Sequence, residues 1–294
     1  MTRSLLDGAK SLLPKALRES LRRRYFRTKG SFVQAFLSYD AAGLERCLRG
    51  LGLTEGDTVL VHSGFHPHGG FRGSPGDLIE VLLKVLGPAG NLLMVSMAYR
   101  TSSYDYVRSL DVFDVRRTGS KMGLVSEVFR RRAGVLRSLN PVHPVLASGP
   151  KAEWIVSGHE LCGHSCGEGT PFQKLAEMNG KVLFYDVPFN TFTFIHHLEH
   201  LLRDSLPFPL YRKEPFEVPV IDREGGRCTV KVFVFTEQAV RRRRPEILEK
   251  ELKKRDLLRA ARVGNTRLLM VGTARAIECA REMARGGVYF YQGD

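Results

Sequence analysis

Apolar and polar positions follow two periods along the chain, and each stretch predicts one structural element. Short apolar runs indicate buried strands, and apolar residues three or four positions apart indicate helices. Helices are predicted over 41–52, 78–86, 118–133 and 273–284, and strands over 58–63, 91–96 and 181–186. Segments 215–221 and 228–235 alternate like a β-hairpin around Gly225 and Gly226. The alternation of strands and helices predicts an α/β fold, a three-layer α/β/α sandwich whose sheet is mixed because of the antiparallel pair.

The beginning of the chain has a different pattern. Leucines recur at roughly helical spacing among basic residues over 1–30, with Pro14 as a break or first-turn residue. We therefore expect a basic amphipathic N-terminal helical extension over 1–35 and one α/β domain over 36–294. Residues 1–30 could contact an anionic membrane surface, or they could pack on the body or on a second subunit of a homo-oligomer. They lack the continuous apolar run and the cleavage site of a signal peptide.

Composition narrows the class of protein. The chain has 294 residues, of which 43% are hydrophobic and 26% charged, as in ordinary globular proteins. No apolar run reaches the ~18 residues of a membrane-spanning helix. The five cysteines are few and unevenly spaced for a disulfide scaffold, so we expect reduced thiols and a cytoplasmic protein, with contact at the inner membrane face left open.

The net charge of +14 is concentrated in two segments. Residues 1–30 contain nine basic and two acidic side chains, and residues 237–262 contain ten basic and five acidic ones, including four consecutive arginines at 241–244. We interpret these segments as basic appendages on a nearly neutral core. Because no zinc finger, aromatic RNA platform or helix-turn-helix signature is present, no specific nucleic-acid partner is expected.

The most informative polar residues follow the third predicted strand. If residues 193–204 are helical, His196 and Glu199 are neighbours on one face. A carboxylate beside an imidazole fixes its tautomer and raises its basicity, which suits removal of a proton near neutral pH. The alternative is a packed or surface histidine, since His-x-x-Glu is a weak pattern.

A second candidate is the end of the first predicted strand. His62 and Ser63 precede the glycine-rich run 69–76, and a helix begins there. A strand, a glycine-rich loop and a helix N-terminus can hold a phosphate with backbone N–H groups. The run matches neither a Walker loop nor a dinucleotide fingerprint, and it could be an ordinary turn.

Four residues between 159 and 166 have the chemistry of metal ligands. They are His159, Cys162, His164 and Cys166. Their spacing fits no common zinc template, and no second pair closes a site, so we predict no metal. A cysteine nucleophile is not expected either, because no base is evident.

Five motifs follow one another in chain order. They are 60–63 with 69–77, Phe113 and Asp114 with 123–127, Arg137 and Ser138 with Pro141, His143 and Gly149, the turn 167–171, and Thr193 with His196 and Glu199. Together they resemble the aminoglycoside 3-N-acetyltransferase family, whose members do not have the GNAT fold. The resemblance covers about residues 40–285.

The resemblance implies an N-acyltransferase that moves an acetyl or similar acyl group from acyl-CoA to a primary amine in a direct ternary complex, without a metal. It implies that His196 is the general base, that Glu199 orients it, and that Thr193 is a donor to the oxyanion. The residues expected at CoA are His62, Ser63, Arg137 and Ser138. The acidic residues expected near the amine acceptor are Asp114 and Asp186.

Departures from the family pattern affect the expected acceptor. Gly64 stands where the family has a second serine after His-Ser, and Pro144 stands where it has a serine after the loop histidine. Asp186 replaces the glycine that ends the third strand. Since a polycation needs an acidic cleft, we expect an acceptor other than a clinical aminoglycoside, such as an amino sugar on a nucleotide or a lipid. The alternative is a non-catalytic protein of the same fold that binds an anionic surface, either lipid or nucleic acid.

Overall fold

A mixed sheet of seven strands forms the centre of the computed structural model, which describes residues 15–292. Its strands are β1 (Thr58–Ser63), β2 (Asn91–Val95), β4 (Leu136–Arg137), β5 (Val145–Ser148), β6 (Lys181–Tyr185), β9 (Arg259–Val263) and β10 (Thr266–Gly272). The order across the sheet is β4-β5-β2-β1-β6-β10-β9. The three central strands β2, β1 and β6 are parallel, and both edges are antiparallel.

Helices cover both faces of this sheet. The helices are α1 (Lys15–Phe36), α2 (Ala41–Leu51), α3 (Pro75–Leu86), α4 (Ser103–Ser109), α5 (Leu124–Arg130), α6 (Ala152–Val156), α7 (Pro171–Glu177), α8 (Ile195–Leu201), α9 (Glu237–Arg242), α10 (Pro245–Lys254) and α11 (Thr273–Arg285). Helices α2, α3 and α5 pack on one face, and α7, α8, α10 and α11 pack on the other. The three-layer α/β/α prediction is therefore confirmed.

Side chains alternate between the two faces along each central strand. Val59 and Val61 belong to the core under α2 and α3, whereas Leu60 belongs to the core under α8 and α11. All three are at most 2% exposed. Because both faces are buried, the parallel strands read as continuous apolar runs, which is why the sequence located them.

The predicted hairpin lies outside the central sheet. It forms β7 (Phe216–Ile221) and β8 (Arg227–Val232), which join β3 (Phe113–Asp114) in a separate three-stranded sheet with its own small core. The central sheet is mixed because of β4, β5, β9 and β10, not because of the hairpin. Alternation within a segment predicts a half-buried strand, but it does not identify the strand that pairs with it.

The helix predicted over 118–133 is shorter than expected. It begins after Gly123, whose φ of +118° is in the region that favours glycine, and Arg131 follows its end. By contrast, α3 begins as its sequence indicates, since Ser74 and Asp77 form a reciprocal capping box before and within its first turn.

Of the N-terminal extension, residues 1–14 lie outside the described part of the chain. Residues 15–36 form the single helix α1, where Val33 is buried against the body and Phe32 and Phe36 are exposed. Of the helices within residues 15–292, none combines the length and the apolar character needed to cross a bilayer.

The second basic segment is not an appendage. Residues 237–262 form α9, α10 and the start of edge strand β9, and Leu248 and Leu252 are fully buried in the main core. Its charges are therefore distributed over a packed part of the domain. This corrects the interpretation based on charge alone, which does not register the buried leucines between the charged positions.

The chain makes a tight turn at Gly149, directly after β5. Its φ is +129°, and a Cβ there would lie 2.3 Å from the carbonyl oxygen of Gly90. Gly158 also has a positive φ, +71°, but a Cβ there would meet open space.

We expect Gly149→Ala to lower the free energy of unfolding by roughly 3 kcal/mol or more, because backbone overlap is added to conformational strain. Gly158→Ala should cost only about 1–2 kcal/mol, because strain alone acts there. Urea unfolding of both variants measures the difference, and equal losses would contradict this account of the turn.

Candidate active site

A cavity of about 510 Å³ opens at the carboxyl ends of β1 and β2. In an open α/β sheet, this edge is where ligands bind. Its wall includes residues from β1, from the segment that enters α8, and from the loop after α9. Its polar residues include His62, Ser63, Arg100, Thr193, His196 and Arg243.

His196 and Glu199 form the pair that the sequence predicted. They lie three positions apart on α8, and the Nδ1 atom of His196 is 2.8 Å from Oε2 of Glu199. The His196 side chain is 16% exposed, whereas that of Glu199 is completely buried. The imidazole therefore lines the cavity, and the carboxylate binds it from the buried side.

Two residues distant in sequence complete the surroundings of Glu199. Arg243 donates to it twice, from Nε at 2.5 Å and from Nη2 at 2.9 Å. The hydroxyl of Tyr291 donates to Oε1 at 2.5 Å. The Arg243 guanidinium also lies over the ring of Phe235, 4.7 Å from its centroid. Since a buried charge is costly unless it is paired, these three hydrogen bonds and the one from His196 make an ionised Glu199 tolerable.

The charges set the protonation state of the pair. Burial alone would raise the pKa of Glu199, but Arg243 and His196 outweigh it and hold this pKa at about 2. Burial and then the positive charge of Arg243 lower the pKa of His196 below 6.5, against the opposing effect of Glu199. At neutral pH, His196 is therefore uncharged, and its Nδ1–H donates to the carboxylate. Its Nε2 is then left with an available lone pair.

Two aromatic rings hold the His196 ring in place. The centroids of Phe235 and His143 lie 4.8 Å and 5.1 Å from it. Burial, followed by the neighbouring His196, keeps the pKa of His143 well below its usual value. Its Nδ1 lies 2.6 Å from the Ser165 hydroxyl. The ring beside His196 is thus a neutral packing partner.

His62 connects the end of β1 to the segment that enters α8. Its Nε2 accepts a hydrogen bond from the backbone N–H of Thr193 at 3.3 Å. Burial, with a smaller effect of His196, lowers the pKa of His62 to about 3, so it is a neutral acceptor. Ser63 and Thr193 both line the cavity. Among residues 15–292, the Thr193 hydroxyl makes one long hydrogen bond, 3.4 Å to the Thr191 carbonyl.

Arg137 and Ser138 are placed differently from the prediction. The Arg137 guanidinium is buried and donates to the carbonyls of Ser96 and Thr118, both at 2.5 Å. The Ser138 hydroxyl accepts from the backbone N–H of Val145 at 2.9 Å. Neither residue lines the cavity. Their polar atoms hold the loop around β4, and their expected role in binding CoA stays a prediction.

The two acidic residues expected near an amine acceptor also lie off the cavity wall. Asp114 Oδ1 accepts from the backbone N–H groups of Arg116 and Arg117, both at 2.9 Å, and so closes the turn after β3. Asp186 follows β6 with a φ of +53°, and its N–H donates to the carbonyl of Arg267. Neither predicted carboxylate therefore lines this cavity, and their role near the acceptor stays a prediction.

The remaining candidates have structural contacts. His159 is fully buried between the Ser138 hydroxyl and the Ser165 carbonyl. Within residues 15–292, no group of three or more histidine, cysteine or acidic side chains is arranged to hold a metal ion. In the glycine-rich run, the Gly69 carbonyl accepts a bond from Thr266, and the run does not line the cavity.

Sequence reasoning missed Arg243 and Tyr291. The arginine stood in a run that resembled a solvated surface, and the tyrosine lies near the C-terminus with no motif around it. A carboxylate on the buried face of a helix needs a cation as a partner, but this rule does not identify which of the 45 basic residues supplies it.

Comparisons with known proteins agree with this architecture. A model of the aminoglycoside 3-N-acetyltransferase family matches residues 60–285. Aminoglycoside N(3)-acetyltransferase III of a Salmonella species is 27% identical over 195 residues, which cover 62% of this chain and 66% of that protein. The matched segment thus spans just under two thirds of that relative's length.

Solved structures match this chain over a larger share of its length. AAC-IIIb in its binary complex with CoASH is 26% identical, with a TM-score of 0.71, and the match covers 85% of this chain and 98% of that one. A variant of AAC(3)-IVa in complex with a gentamicin is 26% identical, with a TM-score of 0.69, over 86% and 91% of the two chains. The chain belongs to the aminoglycoside 3-N-acetyltransferase family, a family of acetyl-CoA-dependent acyltransferases.

Proposed function

We propose that this protein transfers the acetyl group of acetyl-CoA to a primary amine, with His196 as the general base. The observation that carries the proposal is the hydrogen bond from His196 Nδ1 to the buried Glu199 carboxylate, on the wall of a cavity at the carboxyl edge of the sheet. Membership of the family supplies the reaction class, and the CoASH bound to AAC-IIIb supports the donor.

The reaction needs a base because the nitrogen of the free amine gains positive charge as it attacks the thioester carbonyl carbon. The acceptor reacts as the unprotonated amine, and His196 Nε2 accepts one proton from its nitrogen during the attack. The C–S bond then breaks, and the proton on His196 passes to the departing sulfur of CoA. The products are an N-acetylated amine and CoA thiol, so the protons balance without another reactant.

Glu199 acts on His196 and not on the substrate. It is fully buried, so it does not reach the cavity, but it fixes the Nδ1–H tautomer and stabilises the imidazolium that forms during the reaction. Thr193 is the proposed side-chain donor to the oxyanion, because its hydroxyl lies on the same wall with only one long internal contact. We place the thioester end of the donor along His62 and Ser63.

Arg243 is a positioning residue that tunes the base. Without it, the negative charge of Glu199 would raise the pKa of His196 and keep the imidazole protonated, and hence inactive, at higher pH. With it, the pKa of His196 lies below 6.5, and the base is available throughout the neutral range. Activity should accordingly fall only as the pH drops below this value.

A non-catalytic protein of the same fold is the competing function. A surface-binding role would use exposed cations, but it would not require a buried carboxylate with four hydrogen bonds behind a histidine that faces a cavity. Strongly perturbed titratable groups in a cleft are more typical of catalytic sites.

Replacing His196 with Gln removes the base, and we expect kcat to fall about a hundredfold or more. The dissociation constant for CoA should stay close to that of the wild type. The matched control is His197→Asn on the same helix, where an amide can replace the 2.8 Å bond from Nδ1 to the Cys166 carbonyl. His197 does not line the cavity that contains His196.

Thiol release from acetyl-CoA in the presence of a panel of primary amines measures both variants. A His196→Gln enzyme within threefold of the wild type would refute the role of His196. Complete inactivity of the wild type with every amine, although CoA binds, would favour the non-catalytic alternative.

Replacing Arg243 with Gln should move the acid limb of the kcat/KM profile to higher pH, because Glu199 then holds a proton on the pair more strongly. Arg243→Lys, which keeps the cation, should leave the limb nearer to the wild-type position. Profiles of the three proteins, measured from about pH 5 to about pH 8, report this shift. An unshifted Arg243→Gln limb would show that Arg243 does not set the pKa of His196.

A further inference from the structure

A second cavity adjoins the one that contains His196. It has a volume of about 690 Å³, and Arg100 lies on the walls of both cavities. The second wall also includes the residues around the start of α4 and Lys121. A substrate held at Arg100 can therefore extend from the proposed reacting centre into the second cavity.

Arg100 and Lys121 carry charges that no carboxylate in the described part of the chain pairs with. The Nε atom of Arg100 donates to the backbone carbonyl of Lys121 at 3.3 Å, which brings the two residues together. Both side chains are exposed. Across residues 15–292, neither forms an ion pair with a carboxylate.

Acidic groups do not balance these cations. None of the described residues lining the first cavity is acidic, and its other arginine, Arg243, is committed to Glu199. The second cavity contributes one carboxylate, Asp105, which accepts a bond from the Ser102 hydroxyl at 2.6 Å at the first turn of α4. The combined wall is therefore cationic.

A polycationic acceptor would bind poorly against such a wall. Like charges repel, and each ammonium that left water without a carboxylate partner would lose its hydration. An anionic group would instead gain charge-assisted hydrogen bonds from the planar fork of Arg100 and the ammonium of Lys121. The buried hydroxyl of Tyr106, which also lines this cavity, has no hydrogen-bond partner within the described residues.

We infer that the acceptor is a primary amine that carries a phosphoryl group, and that Arg100 and Lys121 bind this group. Two adjacent cations suit a phosphate or diphosphate, which carries more than one negative charge. The phosphates of CoA are separated from its thioester by the whole pantetheine arm, whereas Arg100 and His196 line one cavity. This arrangement favours the acceptor over the CoA phosphates as the ligand of Arg100, and the inference rests on the proposed function.

The test compares acceptors that differ in one group. Thiol release from acetyl-CoA is measured with glucosamine, with glucosamine 6-phosphate, with UDP-glucosamine and with sisomicin. The inference predicts that at least one phosphorylated amine has a kcat/KM tenfold or more above that of glucosamine and above that of sisomicin. The two phosphorylated amines distinguish a phosphate monoester from a nucleotide diphosphate.

Charge variants identify the binding residues. Arg100→Gln and Lys121→Gln should each raise KM for the preferred phosphorylated amine by about tenfold, with the KM for glucosamine and the dissociation constant for CoA unchanged. Arg117→Gln is the matched control, because it removes one cation whose side chain is 85% exposed and lies outside both cavities.

Each result has a distinct meaning. A rise in the dissociation constant for CoA in Arg100→Gln, with no change in KM for the amine, would overturn the inference by assigning the cations to the donor. Preference for sisomicin, or equal use of glucosamine and its phosphate, would overturn it while leaving the acetyltransferase function intact. Absence of thiol release with every amine would overturn the proposed function and the inference together.

Discussion

The buried carboxylate of Glu199 is the constraint on which the site depends. It accepts hydrogen bonds from His196 on the same helix, from Arg243 after α9, and from Tyr291 near the C-terminus. Three distant parts of the chain must therefore meet before this charge is tolerable inside the protein. The hydrogen bond from His196 to this anion also fixes the tautomer of the imidazole, and burial, followed by the charge of Arg243, lowers the pKa of His196. Folding and the chemistry of the site therefore depend on the same residues.

The sequence predicted the local half of this arrangement. His196 and Glu199 are close because residues three positions apart lie on one face of a helix. The central strands are continuous apolar runs because helices cover both faces of the sheet. The other half is a long-range contact. Glu199 and Arg243 are 44 positions apart and Glu199 and Tyr291 are 92 apart, and no local period brings them together.

Residue type and local pattern did not predict the partners of three features within the protein. Arg137 was expected at CoA, Asp114 near the amine acceptor, and the hairpin in the central sheet. In the structure, backbone groups satisfy the first two, and the hairpin pairs with β3. Whether a charged side chain faces a ligand or the protein's own backbone is decided by tertiary packing, which a residue's identity does not encode.

The central claim is that His196 is neutral at pH 7, with its proton on Nδ1 facing Glu199 and its Nε2 lone pair facing the cavity. Nitrogen-15 NMR of the labelled protein, with the His196 signals assigned from their loss in His196→Gln, observes the tautomer and its titration directly. The account predicts a protonated Nδ1, an unprotonated Nε2 and a midpoint below 6.5. A proton on Nε2, or an imidazolium that persists at pH 7, would contradict it.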